Sequence, residues 1–259
     1  MALIFGRMYL TFMEVGKFYY KIIFSYDGTL FNGYAKQTNK RTIQDEIEKA
    51  LETMFQEKII LRASGRTDSG VHALNQVADF SSNKKIPVLK KFVSSLNKLL
   101  PLDIYIKEIE EVDENFSSRF CAKEKIYLYK INYFEYDPLN RNYEVFMKNI
   151  DINLFIEASK HFIGKHNFQN FTSKISDDWG FIRTIYDINV RDDGTHLLVE
   201  IRGDGFMKYE VRKIVGTLLQ ISRHRLPIEY IDINLSSKKR DIVNFTAHSE
   251  GLYLKEVKY

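Results

Sequence analysis

The sequence predicts a mixed α/β sandwich. Three observations carry that reading. Residues 17–113 give strand, helix, strand, strand, helix and strand signals in that order. Residues 114–259 run through a similar series: strand, helix, strands, helix, strand. At 259 residues with 44% hydrophobic and 28% charged residues, the chain has an ordinary globular composition and enough length for a sizeable core.

Taken in order, Phe18 to Tyr26 alternates in the manner of a half-buried strand. Asp27 to Tyr34 is a turn-rich loop. Thr42 reads as a helix N-cap, with Asp45 in the acid-favouring first turn. Ile43, Ile47, Ala50, Leu51 and Met54 recur at helical spacing and predict an amphipathic helix over 43–56. Lys58 to Leu61 reads as a buried strand and Gln76 to Phe80 as another. A helix over 88–100 stops at Pro101, and Asp103 to Ile109 gives a further strand. Lys123 to Ile131 alternates, which places Tyr127, Tyr129 and Ile131 on one face. Residues 151–162 form a helix. Strands starting at Arg183 and spanning Thr195 to Arg202 are joined by the Asp192-Asp193-Gly194 turn. Met207, Val211, Ile214, Val215 and Leu218 mark a buried helical face with Arg212 at its edge, and Leu252 to Lys258 is the last strand.

Composition excludes several classes. The single cysteine, Cys121, permits no disulfide within the chain and no cysteine-based zinc site, and points to a reducing compartment such as the cytoplasm. The six histidines lack metal-ligand spacing. No apolar run reaches the roughly 18 residues a membrane-spanning helix needs. The apolar Met1 to Met13 stretch is broken by Arg7 and has no clear small-residue cleavage site, so residues 1–16 read as an N-terminal extension rather than a signal peptide. The net charge of +4 (38 − 34) is a small basic excess. Its distribution is more telling: Lys84, Lys85, Lys90 and Lys91 cluster, as do Lys123, Lys125 and Lys130, then Arg202, Lys208, Arg212 and Lys213. Such runs are ordinarily solvated faces, but several of them suit a phosphate backbone, and the 19 Phe and 16 Tyr offer surfaces on which bases stack.

One run stands apart: Gly65-Arg66-Thr67-Asp68-Ser69-Gly70-Val71-His72-Ala73. Glycines on both sides allow a sharp turn, including positive φ. Asp68 lies two residues after Arg66, and a nearby guanidinium favours an ionised carboxylate. An ionised carboxylate on a rigid loop is a candidate nucleophile or base. The alternative is structural, because Asp, Thr and Ser in such turns commonly cap backbone N–H groups.

The order of this run resembles the G-R-T-D-[AS]-G-V-H-[AG] active-site motif of the TruA family of tRNA pseudouridine synthases. Other segments from Phe18 onward are similar to the family too. The Asp27-Gly28 loop resembles its Y-D-G and F-x-G-W-x-x-Q segment, with Tyr34 in place of the tryptophan and with Gln37 and Gln44 matching. Phe116 to Tyr129 resembles F-x-A-R-F-S-A…K-x-Y-x-Y, with Cys121 replacing the serine. His166 to Phe171 resembles H-D-F-x-x-F. Gly203 to Gly216 resembles G-x-G-F-L-x-x-M-V-R-x-I-V-G, with Glu210 at an apolar position.

The resemblance implies an α+β fold, in which two similar α/β halves (17–113 and 114–259) share a central mixed, largely antiparallel sheet flanked by helices. It implies isomerisation of uridine to pseudouridine in the anticodon stem-loop of tRNA, with no cofactor, no metal and a homodimeric enzyme. It places the catalytic roles on Asp68, Tyr127 and Arg212, the last paired with the aspartate. Arg66, Lys84, Lys85, Lys123 and Lys208 are then candidates for binding RNA. Two other classes compete. An RNA-binding module without chemistry would lack one of Asp68, Tyr127 and Arg212. An aspartate-based hydrolase would want a second acid or a metal cluster near Asp68.

Overall fold

The computed structural model describes residues 16–176 and 180–259. The expected N-terminal extension, apart from Gly16, and the loop residues Asp177, Asp178 and Trp179 lie outside the described residues. The N-terminal portion comprises β1 (Phe18–Tyr26), α1 (Ile43–Phe55), β2 (Arg62–Ala63), β3 (His72–Ser82), α2 (Leu89–Leu99) and β4 (Ile104–Val112). There follow β5 (Glu124–Asn132), β6 (Val145–Phe146), α3 (Ile152–Lys160), β7 (Gly164–Asn167), β8 (Ile182–Asp192), β9 (His196–Gly203), α4 (Glu210–Ile221), α5 (Glu229–Ser236) and β10 (Leu252–Lys258).

Among the described residues the strands form one ten-stranded sheet in the order β4-β1-β3-β10-β5-β9-β8-β7, with β2 on β3 and β6 on β5. All pairings are antiparallel except β10 with β3 and β6 with β5. The mixed, largely antiparallel sheet is the one expected. β10 stands in its middle, with Tyr253 opposite His72 on one side and Leu254 opposite Tyr127 on the other.

Alternation sets the burial. Tyr20, Ile22, Phe24 and Tyr26 of β1 point into the core, and so do Leu197, Val199 and Ile201 of β9. β3 lies inside the sheet and is buried along most of its length, with the polar His72, Gln76, Asp79 and Ser82 buried alongside its apolar residues. Ile43, Ile47, Ala50, Leu51 and Phe55 form the inward face of α1. Phe162, Phe168 and Phe171 cluster beside α3, the last two pairs meeting edge to face.

Three local expectations are corrected. Lys58 to Leu61 is not a strand; only Arg62 and Ala63 pair with β3. The backbone of Leu61 is held by α1 instead: its N–H donates to Glu48 Oε1 at 2.8 Å and its carbonyl accepts from Gln44 Nε2 at 3.1 Å. Thr42 occupies the N-cap position but its buried hydroxyl makes no capping bond. Met207 is buried but precedes α4, which starts at Glu210 after Tyr209 turns the chain through a left-handed φ of 64°. The short strands β6 and β7 and helix α5 carry too few periodic residues to be read in advance.

One packing relation fixes the site described next. The segment 243–247 lies along α4: Ala247 N–H donates to the Arg212 carbonyl at 2.9 Å, and the buried Lys213 Nζ donates to the Val243 carbonyl. Gly216 makes this possible, since a Cβ there would stand 2.5 Å from the Phe245 carbonyl oxygen. Alanine is ordinarily better than glycine in a helix by about 1 kcal/mol, whereas forced overpacking costs about 1–3 kcal/mol. Gly216→Ala is therefore expected to lower the urea unfolding midpoint despite the better helix former, and a raised midpoint would show that the 243–247 segment yields.

Candidate active site

The loop between β2 and β3 is fastened at almost every residue. Ser64 N–H donates to the Val77 carbonyl at 2.8 Å, and its hydroxyl donates to Gln76 Oε1 at 2.8 Å. Gln76 Nε2 returns to the Gly65 carbonyl at 3.0 Å. Thr67 shares a 2.7 Å hydrogen bond with the Tyr26 hydroxyl, and its carbonyl accepts from Tyr34 N–H at 3.1 Å. Ser69 donates to the Phe31 carbonyl at 3.0 Å. Gly70 takes a φ of +77°, as its place in the turn leads one to expect. Past the loop, His72 accepts from Gly28 N–H at Nδ1 (3.1 Å) and meets the Asn142 carbonyl through Nε2 at 2.9 Å, so a neutral ring with its proton on Nε2 serves both.

Every hydroxyl in the loop is therefore engaged in holding its shape, while among the described residues the Asp68 carboxylate caps no backbone N–H. Its side-chain partner is Arg212, whose Nη1 stands 3.5 Å from Oδ2. Both are largely enclosed, with 19% of the Asp68 side chain and 16% of the Arg212 side chain exposed. The guanidinium is aimed from behind: Nε donates to the Ala247 carbonyl at 2.7 Å, and the group lies 5.2 Å from the Tyr209 ring. The contact is single and long rather than a two-pronged pair, which leaves the carboxylate room to accept a further partner.

Burial pushes the Asp68 carboxyl above its ordinary value, with the nearby charges of Arg212 and then Lys208 pulling it back. This corrects the expectation drawn from Arg66. That residue is exposed and is not among the groups acting on Asp68; the cations that matter come from far along the chain.

Tyr127 on β5 is 8% exposed and meets Phe206 edge to face, ring centres 5.2 Å apart. Its hydroxyl is driven to a more basic value chiefly by burial, then by Tyr26, Asp68 and Glu210 around it. A phenol so placed keeps its proton at neutral pH, and it can stack or donate but not abstract a proton unaided. Tyr26, which braces Thr67, is likewise pushed up, to about 12.

The structure brings Asp68, Arg212, Lys208 and Tyr127 together. Arg66 is on the same loop, its side chain in solvent, and Lys123 is exposed just before β5. Lys84 and Lys85 are elsewhere, past the far end of the 11-residue β3. At about 3.4 Å per residue that strand is roughly 37 Å long. There Lys84 Nζ donates to the Phe55 carbonyl at 2.5 Å and Lys85 stands 3.6 Å from Glu111. Sequence reasoning missed the Ala247 carbonyl and the Tyr209 ring, which carry no motif of their own and become visible only when the chain folds. Among the described residues no cluster of His, Cys, Asp and Glu could hold a metal ion, and no helix is long and apolar enough to cross a membrane.

With this geometry in hand, comparison with known proteins gives a consistent result. The profile of a family described as tRNA pseudouridine synthase matches residues 22–121 and 158–259. A tRNA pseudouridine synthase A of Acetivibrio thermocellus is 41% identical over 242 residues, spanning 92% of this chain and 98% of its own. One of Lactococcus lactis is 40% identical over 244 residues (93% and 96%), and a tRNA pseudouridine synthase A 2 of Clostridium tetani is 43% identical over 238 residues (90% and 96%). Among solved structures, a chain of a Cbf5-Nop10-Gar1 complex overlaps 88% of this chain and 57% of its own at 12% identity and a TM-score of 0.34, too slight a likeness to bear on function. The chain belongs to the tRNA pseudouridine synthase A family, enzymes that isomerise uridine in tRNA.

Proposed function

We propose that this enzyme acts on uridines of the anticodon stem-loop and that Asp68 is its nucleophile or base. One observation supports the catalytic assignment above the others: in a loop where threonine and serine hold the backbone, the aspartate is left with a single long contact to a guanidinium. A capping aspartate would be the reverse, saturated by N–H donors.

The reaction loses no atoms. The C1′–N1 glycosidic bond breaks, the uracil turns, C1′ bonds to C5, and the proton displaced from C5 is replaced by one at N1. Asp68 attacks either the ribose or the uracil. Arg212 orients its carboxylate and offsets the cost of burying the charge. Tyr127 stacks on the extruded base and passes a proton at C5 through a relay, since its own hydroxyl is too basic to act alone. The base must leave the helix stack to reach this cleft. Arg66, exposed on the loop, contacts a backbone phosphate or fills the gap the base leaves. Lys123 and Lys208 bind backbone near the cleft; Lys84 and Lys85 serve only an RNA long enough to reach the other end of β3. The enzyme works in the cytoplasm as a homodimer, and residues 17–113 and 114–259 form its two halves.

Asp68→Asn is expected to reduce turnover about 10³-fold or more while leaving the unfolding midpoint unchanged or raised. The sign follows from burial: the native fold disfavours the ionised carboxylate, so a neutral isostere removes a cost at neutral pH. A midpoint lowered with turnover intact would return Asp68 to a structural role.

Arg212→Leu takes away the charge that restrains the upward shift of Asp68. Activity needs the ionised carboxylate, so the acid limb of the pH–rate profile moves to higher pH and the maximal rate drops. A limb that stays in place in single-turnover assays would break the proposed link between these two residues.

A further inference from the structure

The His166 to Phe171 run, singled out in the sequence, has no part in the roles above. It folds as the end of β7 and the 3₁₀ turn Gln169–Phe171. Phe168 and Phe171 are fully enclosed and meet edge to face, which anchors the turn in the core. Asn170, next to Phe171, is a buried amide with 0% exposure. Such a group is costly to bury unless it is hydrogen-bonded. Its Oδ1 accepts from Asp241 N–H at 2.7 Å and its own carbonyl accepts from Val243 N–H at 2.8 Å, while Nδ2 donates to the Asn234 carbonyl at 3.3 Å. Gln169 adds a 2.7 Å bond from Nε2 to the Ser237 carbonyl.

The 241–247 segment belongs to no helix or strand, so no ladder of its own fixes its path. Asn170 holds its start, and Lys213 holds the Val243 carbonyl. At its end the Ala247 carbonyl receives Arg212 Nε. The exit of the same turn acts on α4 from another side. Thr172, also fully buried, donates its hydroxyl to the Lys208 carbonyl at 3.0 Å, and Ser173 N–H reaches that oxygen at 3.4 Å. Lys208 immediately precedes Tyr209, where the chain turns left-handed into α4. One short turn thus fastens both the backbone that aims the Arg212 guanidinium and the entry to the helix that carries it.

We propose that Asn170 and Thr172 are positioning residues that set Arg212 against Asp68, Asn170 through the 241–247 segment and Thr172 through the Lys208 carbonyl. This rests on the reading of Asp68 as the catalytic carboxylate. Both side chains are sealed from solvent, so they act on turnover and not on docking of the RNA. At 3.5 Å the contact between Arg212 and Asp68 is already at the limit of a hydrogen bond, so a small displacement of the guanidinium breaks it.

The test is single-turnover conversion across pH, with equilibrium binding of an unmodified tRNA transcript and urea unfolding, for wild type, Asn170→Ala, Thr172→Val and Thr172→Ser. Asn170→Ala is expected to lower the maximal rate about tenfold or more and to leave transcript affinity within about twofold. Its acid limb moves to higher pH, because a displaced guanidinium favours the ionised carboxylate less. Thr172→Val does the same in smaller measure, since Ser173 N–H still holds the Lys208 carbonyl. Thr172→Ser keeps the hydroxyl and stays close to wild type. An unchanged rate and limb in Asn170→Ala would overturn the proposal, and so would a lower rate with the limb in place, the mark of a turn that only supports the fold. Should Asn170→Ala fail to unfold cooperatively, the Thr172 pair decides: a limb displaced by valine and restored by serine supports the proposal, and identical limbs refute it. The Arg212 Nε proton, followed by NMR, is expected to exchange with water faster in Asn170→Ala. That exchange does not depend on what Asp68 does, so turnover surviving in Asp68→Asn would refute the Asp68 reading alone.

Discussion

A carboxylate withdrawn from water must be held against its own desolvation, and most of this structure can be understood as meeting that demand at Asp68. The counter-charge, Arg212, comes from 144 residues further along. It is in position because Tyr209 turns the chain left-handed into α4, and because the Ala247 carbonyl fixes its Nε. The 243–247 segment is in turn pressed onto α4 at Gly216. Each support is a backbone feature, the contact is long, and the carboxylate retains accepting capacity.

The loop divides its labour by residue type. Thr67 and Ser69 are tied to Tyr26 and Phe31, and Tyr34 reaches the Thr67 carbonyl. These three partners all lie on β1 or the loop after it, so the first strand and its turn act as a mould for the motif. The Asp27-Gly28 loop therefore shapes the motif through its backbone. Its Gly28 N–H engages His72 at the far end of the motif, closing the mould on that side.

Much of this was legible in advance. The strand β1 and the helix α1 are long and periodic, and their burial follows the pattern the sequence predicts, while β10 and α2 fall where the sequence puts them. Asp68, Tyr127 and Arg212 are picked out by motif order alone, and the fold brings the three side chains near one another. What stayed hidden depends on contacts between distant segments. Lys58 to Leu61 has the composition of a strand but finds its partners in Gln44 and Glu48 of α1. Arg66 is a sequence neighbour of Asp68 and was expected to set its ionisation, but Arg212 and Lys208 do so from across the cleft. Lys84 and Lys85 sit close to the motif in sequence yet an entire strand away in space. Proximity along the chain is a poor guide to electrostatics once a loop is fastened at both ends.

The position of β10 has a further consequence, for the order in which the protein assembles. It is the only strand that touches both β3 and β5, among the described residues, and it pairs in register with His72 and Ala73 some 180 residues upstream. Contacts of such long range are slow to form because the intervening chain must be brought together first. During synthesis, β1, β3 and β4 can associate early, as can β5, β8 and β9, but these two groups share no common neighbour until residues 252–258 leave the ribosome. A nascent chain thus carries the Asp68 loop well before it acquires the seam that joins that half of the sheet to the half bearing Arg212.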